Sequence, residues 1–372
     1  MAEIDETVVR DSQDSAGIGQ ILLALGIILV SLAVLYAGFL FLGDRSSSFP
    51  KWFITIFAIV WGVAGVALLF WSFNNFVEKL SQKWTDRLQP FVFVGPAVVL
   101  LFIYLLIPAI ETFRLSLYDR NGQEFVGAAN YVELFTGRIL QESMRNNLMW
   151  IVFGSTTSVA MGLLIAVLAD RSRWERVSKS LIFLPMAISF VGAGVIWNFM
   201  YEVRPAELPQ IGLLNAIVVG LGGDPKSWYA WVQIAPWNNL FLIVIVVWLQ
   251  VGFAMVLFSA ALKGIPDELL EAGRVDGANE VQIFFRIMIP HIMPTIITVW
   301  TTIVIFTLKI FDVVWVMTGG QFGTHVIATQ FYRQAFTARN SGVGSAIAIV
   351  LLLAVVPVLI YNLRQFRETE AF

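Results

Sequence analysis

Long apolar stretches separated by short polar ones run the length of the chain, at about 19–42, 52–74, 91–110, 147–169, 180–201, 239–262, 294–316 and 343–363. A bilayer core is about 30 Å thick, and a helix needs roughly 20 apolar residues to cross it. Each of the eight stretches is long enough for one span. A transmembrane barrel would alternate apolar and polar residues, whereas IVIVVWLQVGFAMVLFSAAL is apolar throughout. The pattern therefore predicts an all-α integral membrane protein with eight transmembrane helices. The first stretch exceeds a signal-peptide core and follows an acidic tail (Glu3, Asp5, Glu6), so a retained anchor is expected.

Basic residues in short loops mark the cytoplasmic side. Arg171, Arg173, Arg176 and Lys179 form the densest cluster, and alternating spans put Lys79, Lys83, Arg87, Lys263, Arg274, Arg286, Arg364 and Arg367 on the same side. Both termini are then cytoplasmic. The first hairpin fits less well, with Arg45 and Lys51 outside and only Arg10 in the tail, so its placement follows from the later spans. Loops 111–146, 202–238 and 317–342 face outward and are rich in Trp, Tyr, Asn, Gly and Pro. Such aromatics anchor helix ends at the membrane interface or form a docking surface for an external partner.

Composition agrees with a membrane protein: 58% of residues are hydrophobic and 13% charged, against about 25% charged in soluble domains. Mean hydropathy is +0.77. A net charge of −2 supplies no basic field for nucleic acid. The chain has no cysteine, which excludes disulfides, thiolate nucleophiles and Cys-type metal sites. His291 and His325 are the only histidines, so no His-rich metal motif exists. Gly222-Gly223-Asp224-Pro225-Lys226-Ser227 superficially resembles a phosphate loop but has Pro before the Lys. No catalytic residue, metal or cofactor is expected on this chain.

Residues 264–294, GIPDELLEAGRVDGANEVQIFFRIMIPHIMP, are the most polar stretch between spans. Pro266, Asp267 and Glu268 suit a helix start. Gly273 and Gly277 permit sharp turns or close approach, and Leu269, Leu270, Val275, Val281 and Phe284 offer apolar contacts. The expectation is a short helix, a bend and a second short helix leading to Pro290. An amphipathic connector on the membrane face and a docking element for another protein both fit this pattern.

The same segment resembles the EAA loop of binding-protein-dependent ABC importer permeases. The pattern is carried by Glu271, Ala272, Asp276, Gly277, Ala278, Phe284, Ile287 and Pro290, with Gly273 in place of the third alanine and Ile289 in place of a leucine. FVGAANYVELF (125–135), SLIFLPMAISF (180–190), FDVVWVMTGG (311–320) and FYRQAF (331–336) extend the likeness over about 91–367. The layout is similar to the larger subunit of maltose-type importers. KIFDVVWVMTGGQFGTHVIA and VPVLIYNLRQFRE look nearest to permeases for α-glucosides, trehalose or glucosylglycerol.

The resemblance implies a cytoplasmic tail at 1–18, an N-terminal two-helix hairpin and linker at 19–90, and a six-span permease core at 91–367 with coupling loop 264–294. It implies a bacterial inner-membrane subunit working with a second homologous permease, two cytoplasmic ATPase subunits that carry ATP and Mg, and a periplasmic or lipid-anchored sugar-binding protein. Glu271, Ala272, Gly273, Asp276, Gly277 and Ala278 would seat on the ATPase. The substrate path would involve Met186, Ser189, Phe190, Trp248, Gln250, Phe306, Thr307 and Ile310. Only Ser189, Gln250 and Thr307 among these bring side chains that hydrogen-bond readily.

Lys309 and Asp312 are three apart in the predicted seventh span, which would put them on one helical face. An intramembrane ion pair and a role in the sugar path are both open. A permease for another solute, such as glycerol phosphate, remains the nearest rival, although no span contains the Arg that a phosphate would favour. A membrane-embedded enzyme would need a catalytic cluster that Glu271 and Asp276 alone do not supply.

Overall fold

The computed structural model describes residues 17–43, 49–230 and 234–370, apart from the side chains of 363 and 365–370. The acidic tail with Arg10, the segment 44–48 holding Arg45, and the Arg367 side chain lie outside the described residues. The chain divides into two compact units, Met1–Ala109 and Ile110–Phe372.

In the first unit, α1 (Ile18–Gly43) and α2 (Lys51–Val77) pair side by side, and α3 (Gln82–Leu115) begins next to α2. Small residues allow the close pairing, as between membrane helices generally. A Cβ on Gly38 would lie 2.0 Å from the Trp61 indole nitrogen. Thr85 donates to the Val77 carbonyl at 2.9 Å and closes the turn into α3.

The second unit is built on α5 (Arg138–Asp170) packed along α9 (Asn239–Lys263). A π turn, Trp150–Ser155, interrupts α5. Trp150, Leu242, Ile245, Val246, Val313 and Val314 make one buried cluster, and Ala254, Met255, Phe258, Val299 and Ile303 make another. Around these lie α4 (Ala129–Thr136), α6 (Glu175–Ala187), α7 (Phe190–Tyr201), α8 (Leu213–Gly220) and α10 (Asp267–Val275). The remaining helices are α11 (Glu280–His291), α12 (Met293–Leu308), α13 (Asp312–Thr318), α14 (Ile327–Tyr332) and α15 (Ser341–Glu370).

Among the described residues, six helices are long and apolar enough to cross a membrane, or eight if two bent pairs each count as one. The stretch 180–201, expected as one straight helix, is α6 and α7 meeting at 104°. Pro185 sits in a tight 3₁₀ turn, Ile188 is extended, and Ser189 caps α7 by accepting from the Gly192 N–H at 3.0 Å. The corner is wedged against α9, where a Cβ on Gly252 would lie 2.5 Å from the Ile182 carbonyl oxygen.

The stretch 294–316 is also not one helix. It is α12 and α13, separated at Lys309–Phe311 without a proline. Asn147 on α5 satisfies a carbonyl at the break and ties it to the start of α14. Its amide donates to the Leu308 carbonyl at 3.2 Å and its oxygen accepts from the Ile327 N–H at 2.8 Å. Backbone groups freed by a break at membrane depth need such partners. Lys309 and Asp312 therefore do not share a helical face, and no ion pair joins them among the described residues. Lys309 is exposed at the break, and Asp312 opens α13, where a helix dipole favours an acid.

Candidate functional site

The polar loop folds as its residues dictate. Asp267 and Glu268 occupy the first turn of α10 and Arg274 the last, matching the helix dipole. Gly277 then reverses the chain at φ +82°, a left-handed value that L side chains resist. Asn279 starts α11 through a reciprocal capping box with Gln282, both bonds 2.9 Å. Gly273 is a point of contact, since a Cβ there would lie 2.6 Å from Ile287 Cδ1. Of the two roles expected for this glycine, a sharp turn or a close approach, the structure shows the close approach, of α10 on α11.

This double turn presents an accessible face. Glu271, Ala272, Asp276 and Gly277 are exposed and Ala278 is half-buried. Val275 is 86% exposed and Val281 65% exposed, an unusual state for valines outside a membrane-crossing helix. Glu271 has no ion-pair partner among the described residues, whereas its neighbour Arg274 reaches Glu280 at 3.1 Å.

A charged cluster braces the same end. Lys179 on α6 lies 2.5 Å from Asp170 at the end of α5 and 2.6 Å from Glu175. Ser259 of α9 donates to Asp170 at 2.8 Å, and Lys263 also pairs with Glu175. Arg171 extends the network to Glu280 of α11 at 3.6 Å. Burial acts to lower the Lys179 pKa, and the two carboxylates more than offset it, leaving it raised. The Glu175 carboxyl is held down to about 2 by Lys179 and then Lys263. In the sequence, Arg171, Lys179 and Lys263 served only to orient the loops; the four-residue spacing of Glu175 and Lys179 was the available signal.

The path candidates do not share one environment. Phe190, Trp248 and Ile310 meet at one buried cluster shared by α7, α9 and α13. Thr307 is fully buried and faces Ser155 of the π turn at 3.3 Å, while also donating within its own helix. Met186, Ser189, Phe306 and Lys309 are exposed on this chain. Trp248 and Gln250 lie roughly 200° apart around α9, so they face different surroundings; Gln250 is buried and Trp248 borders an apolar groove with Thr157 and Trp197. Asp312 is half-buried.

The end opposite the coupling loop holds buried asparagines that the sequence did not single out. Asn146 donates to the carbonyls of Gly323 and His325, each at 2.8 Å. Asn238 joins Tyr229 to Phe322 through their carbonyls at 2.9 and 2.8 Å. His325 is pushed down to about 4 by burial and the nearby Arg333 guanidinium. Arg333 donates to its Nε2 at 2.9 Å, which leaves Nδ1 as the protonated nitrogen of the neutral ring. Among the described residues, no group of three or more His, Asp or Glu could hold a metal ion.

Comparison with known proteins joins these observations. The osmoprotective compounds uptake permease protein GgtC of Synechocystis sp. is 52% identical over 75% of this chain and 99% of its own length. The alpha-glucoside transport system permease protein AglF of Rhizobium meliloti is 45% identical over 83% of this chain and 96% of its own. A bacterial alginate ABC transporter crystallised with an alginate-bound periplasmic protein shares the fold, with TM-score 0.65 and 20% identity over 77% of this chain and 97% of that one. Residues 158–367 match the family described as binding-protein-dependent transport system inner membrane component. With that match spanning more than half the molecule, the chain belongs to this family of ABC importer permeases, multi-pass transport subunits of the inner membrane rather than enzymes.

Proposed function

We propose that this chain is the permease subunit of an ATP-driven importer for an α-glucoside such as trehalose, maltose or glucosylglycerol. It forms the translocation path with a second, homologous permease. Two ATPase subunits holding ATP and Mg dock on its cytoplasmic coupling loop, and a periplasmic or lipid-anchored binding protein delivers the sugar. Both termini face the cytoplasm, and the end with Asn146, Asn238 and His325 faces outward.

The observation that carries this reading is the exposed α10–α11 turn with left-handed Gly277 and with Glu271, which has no ion-pair partner among the described residues. A rigid α10 joined to α9 and, through α11, to α12 moves those spans when closing ATPases pull on it. Glu271 offers a carboxylate to a basic residue of the ATPase, while Val275 and Val281 supply apolar contact. The names of GgtC and AglF support the solute class.

The test is purification of the intact importer from native membranes, followed by ATP hydrolysis assays with the binding protein and a sugar panel. Stimulation by trehalose, maltose or glucosylglycerol is expected. Gly277→Trp should insert normally yet abolish ATP-driven uptake. A preparation without associated ATPase, or unchanged uptake in that variant, sinks the coupling role.

A further inference from the structure

We propose that a cavity at the outward end of α7 is a second saccharide site, a vestibule that holds one pyranose ring before the sugar enters the deeper path. This rests on the sugar reading above. The cavity has a volume of about 340 Å³ and is walled by Asn198, Tyr201 and Glu202 on one side and Ser227, Trp228 and Tyr229 on the other. That is within the size range of small-molecule sites, about 300–1,000 Å³.

Both walls are held in place without a ligand. Fully buried Asn215 donates to the carbonyls of Glu202 and Lys226, each at 3.0 Å, and accepts from the Lys226 N–H at 2.9 Å. Asn238 fixes the Tyr229 backbone at 2.9 Å. The Tyr229 hydroxyl spans the cavity walls by donating to Asn198 Oδ1 at 2.8 Å. A site framed this way loses little conformational freedom on binding.

The lining chemistry matches a pyranose, which has an apolar C–H face and a rim of hydroxyls. The half-buried Tyr229 ring, backed by buried Tyr201 with ring centres 5.8 Å apart, offers aromatic surface for the face. The Glu202 carboxylate makes a single 3.5 Å approach to Arg204, so its other oxygen is open to hydroxyl donors. Trp228 borders the cavity, and its Nε1 has no hydrogen-bond partner among the described residues. Glu202 opposes an anion. A ladder of aromatic rings continues inward, Tyr201 to Trp197 at 5.1 Å and Trp197 to Trp248 at 5.9 Å, reaching a candidate of the deeper path.

The complete importer in lipid nanodiscs, without its binding protein, provides the test by saturation-transfer NMR to trehalose, maltose and glucosylglycerol. Choline is the control for a cation held by aromatic rings. Sugar ring protons should receive signal in the wild type, and Glu202→Gln with Ser227→Ala should weaken binding about tenfold. Glu207→Gln, on the same loop but outside the cavity, should match the wild type. Trp228→Ala, which removes one cavity wall and is checked for assembly with both permeases and the ATPases, provides an independent variant with the same expected loss. Unchanged transfer in the cavity variants, or saturation of choline instead of sugar, overturns the vestibule. No transfer in the wild type while sugar-loaded binding protein still stimulates ATP hydrolysis overturns it too, with the sugar reading intact. If no sugar stimulates hydrolysis, both fall.

Discussion

Single residues decide how the polar loop is shaped. Gly277 at φ +82° has open space where a side chain would project, so backbone strain and not collision limits substitution. A left-handed L residue costs about 1–2 kcal/mol, less for Asn. Gly277→Asn should therefore keep most sugar uptake per ATP hydrolysed, while Gly277→Val should lower that ratio severalfold, as measured in proteoliposomes. Gly273 is placed differently: a Cβ there would meet the tip of the Ile287 side chain, which must shift to admit the alanine of the family pattern. His325 makes a pH prediction at this scale. Its pKa is about 4 in the folded chain against an ordinary 6.5, so the unfolded state binds more protons between those values. Stability should be unaffected above pH 6.5, fall as the pH drops towards 4, and level off below. His325→Gln should flatten thermal inactivation rates across that window; an unchanged slope would assign the dependence elsewhere.

Elements behave here as jointed rods. The corner at Pro185 was visible as a Leu-Pro pair, but an apolar run offers no sign of how sharply it turns. The break after Leu308 was not legible at all, because the Asn147 amide that meets its carbonyl lies 161 residues away. The same is true of the brace at the coupling end. Asp170, Glu175, Lys179, Ser259 and Lys263 bind three helices into one block, and Arg171 connects that block to α11. Lys179→Met leaves two neighbouring, partly buried carboxylates sharing only Lys263, so the melting temperature should drop by several degrees. Uptake per ATP hydrolysed should drop as well, and Lys179→Arg should restore it. A variant that melts early but couples normally would confine the cluster to a stabilising role.

At the scale of the whole molecule, the proposed orientation can be tested directly because the chain has no cysteine to remove. Asp276→Cys in the coupling loop should react with a membrane-impermeant maleimide only after the cytoplasmic face is opened. Asp224→Cys in the opposite loops should react in intact spheroplasts; the reverse pattern would invert the topology. Sequence alone determined that this is a helical membrane protein, where its apolar stretches lie, and which loop carries the importer signature. Those properties depend on local composition and short spacing: a run of apolar residues must avoid water wherever it folds, and a Gly between two amphipathic turns bends the chain locally. Tertiary structure decided where the spans break, which charges meet, and which candidates share surroundings. Phe190, Trp248 and Ile310 converge on one cluster while Lys309 and Asp312 part, because these relations are set by side chains far apart in the chain that meet only when the helices pack.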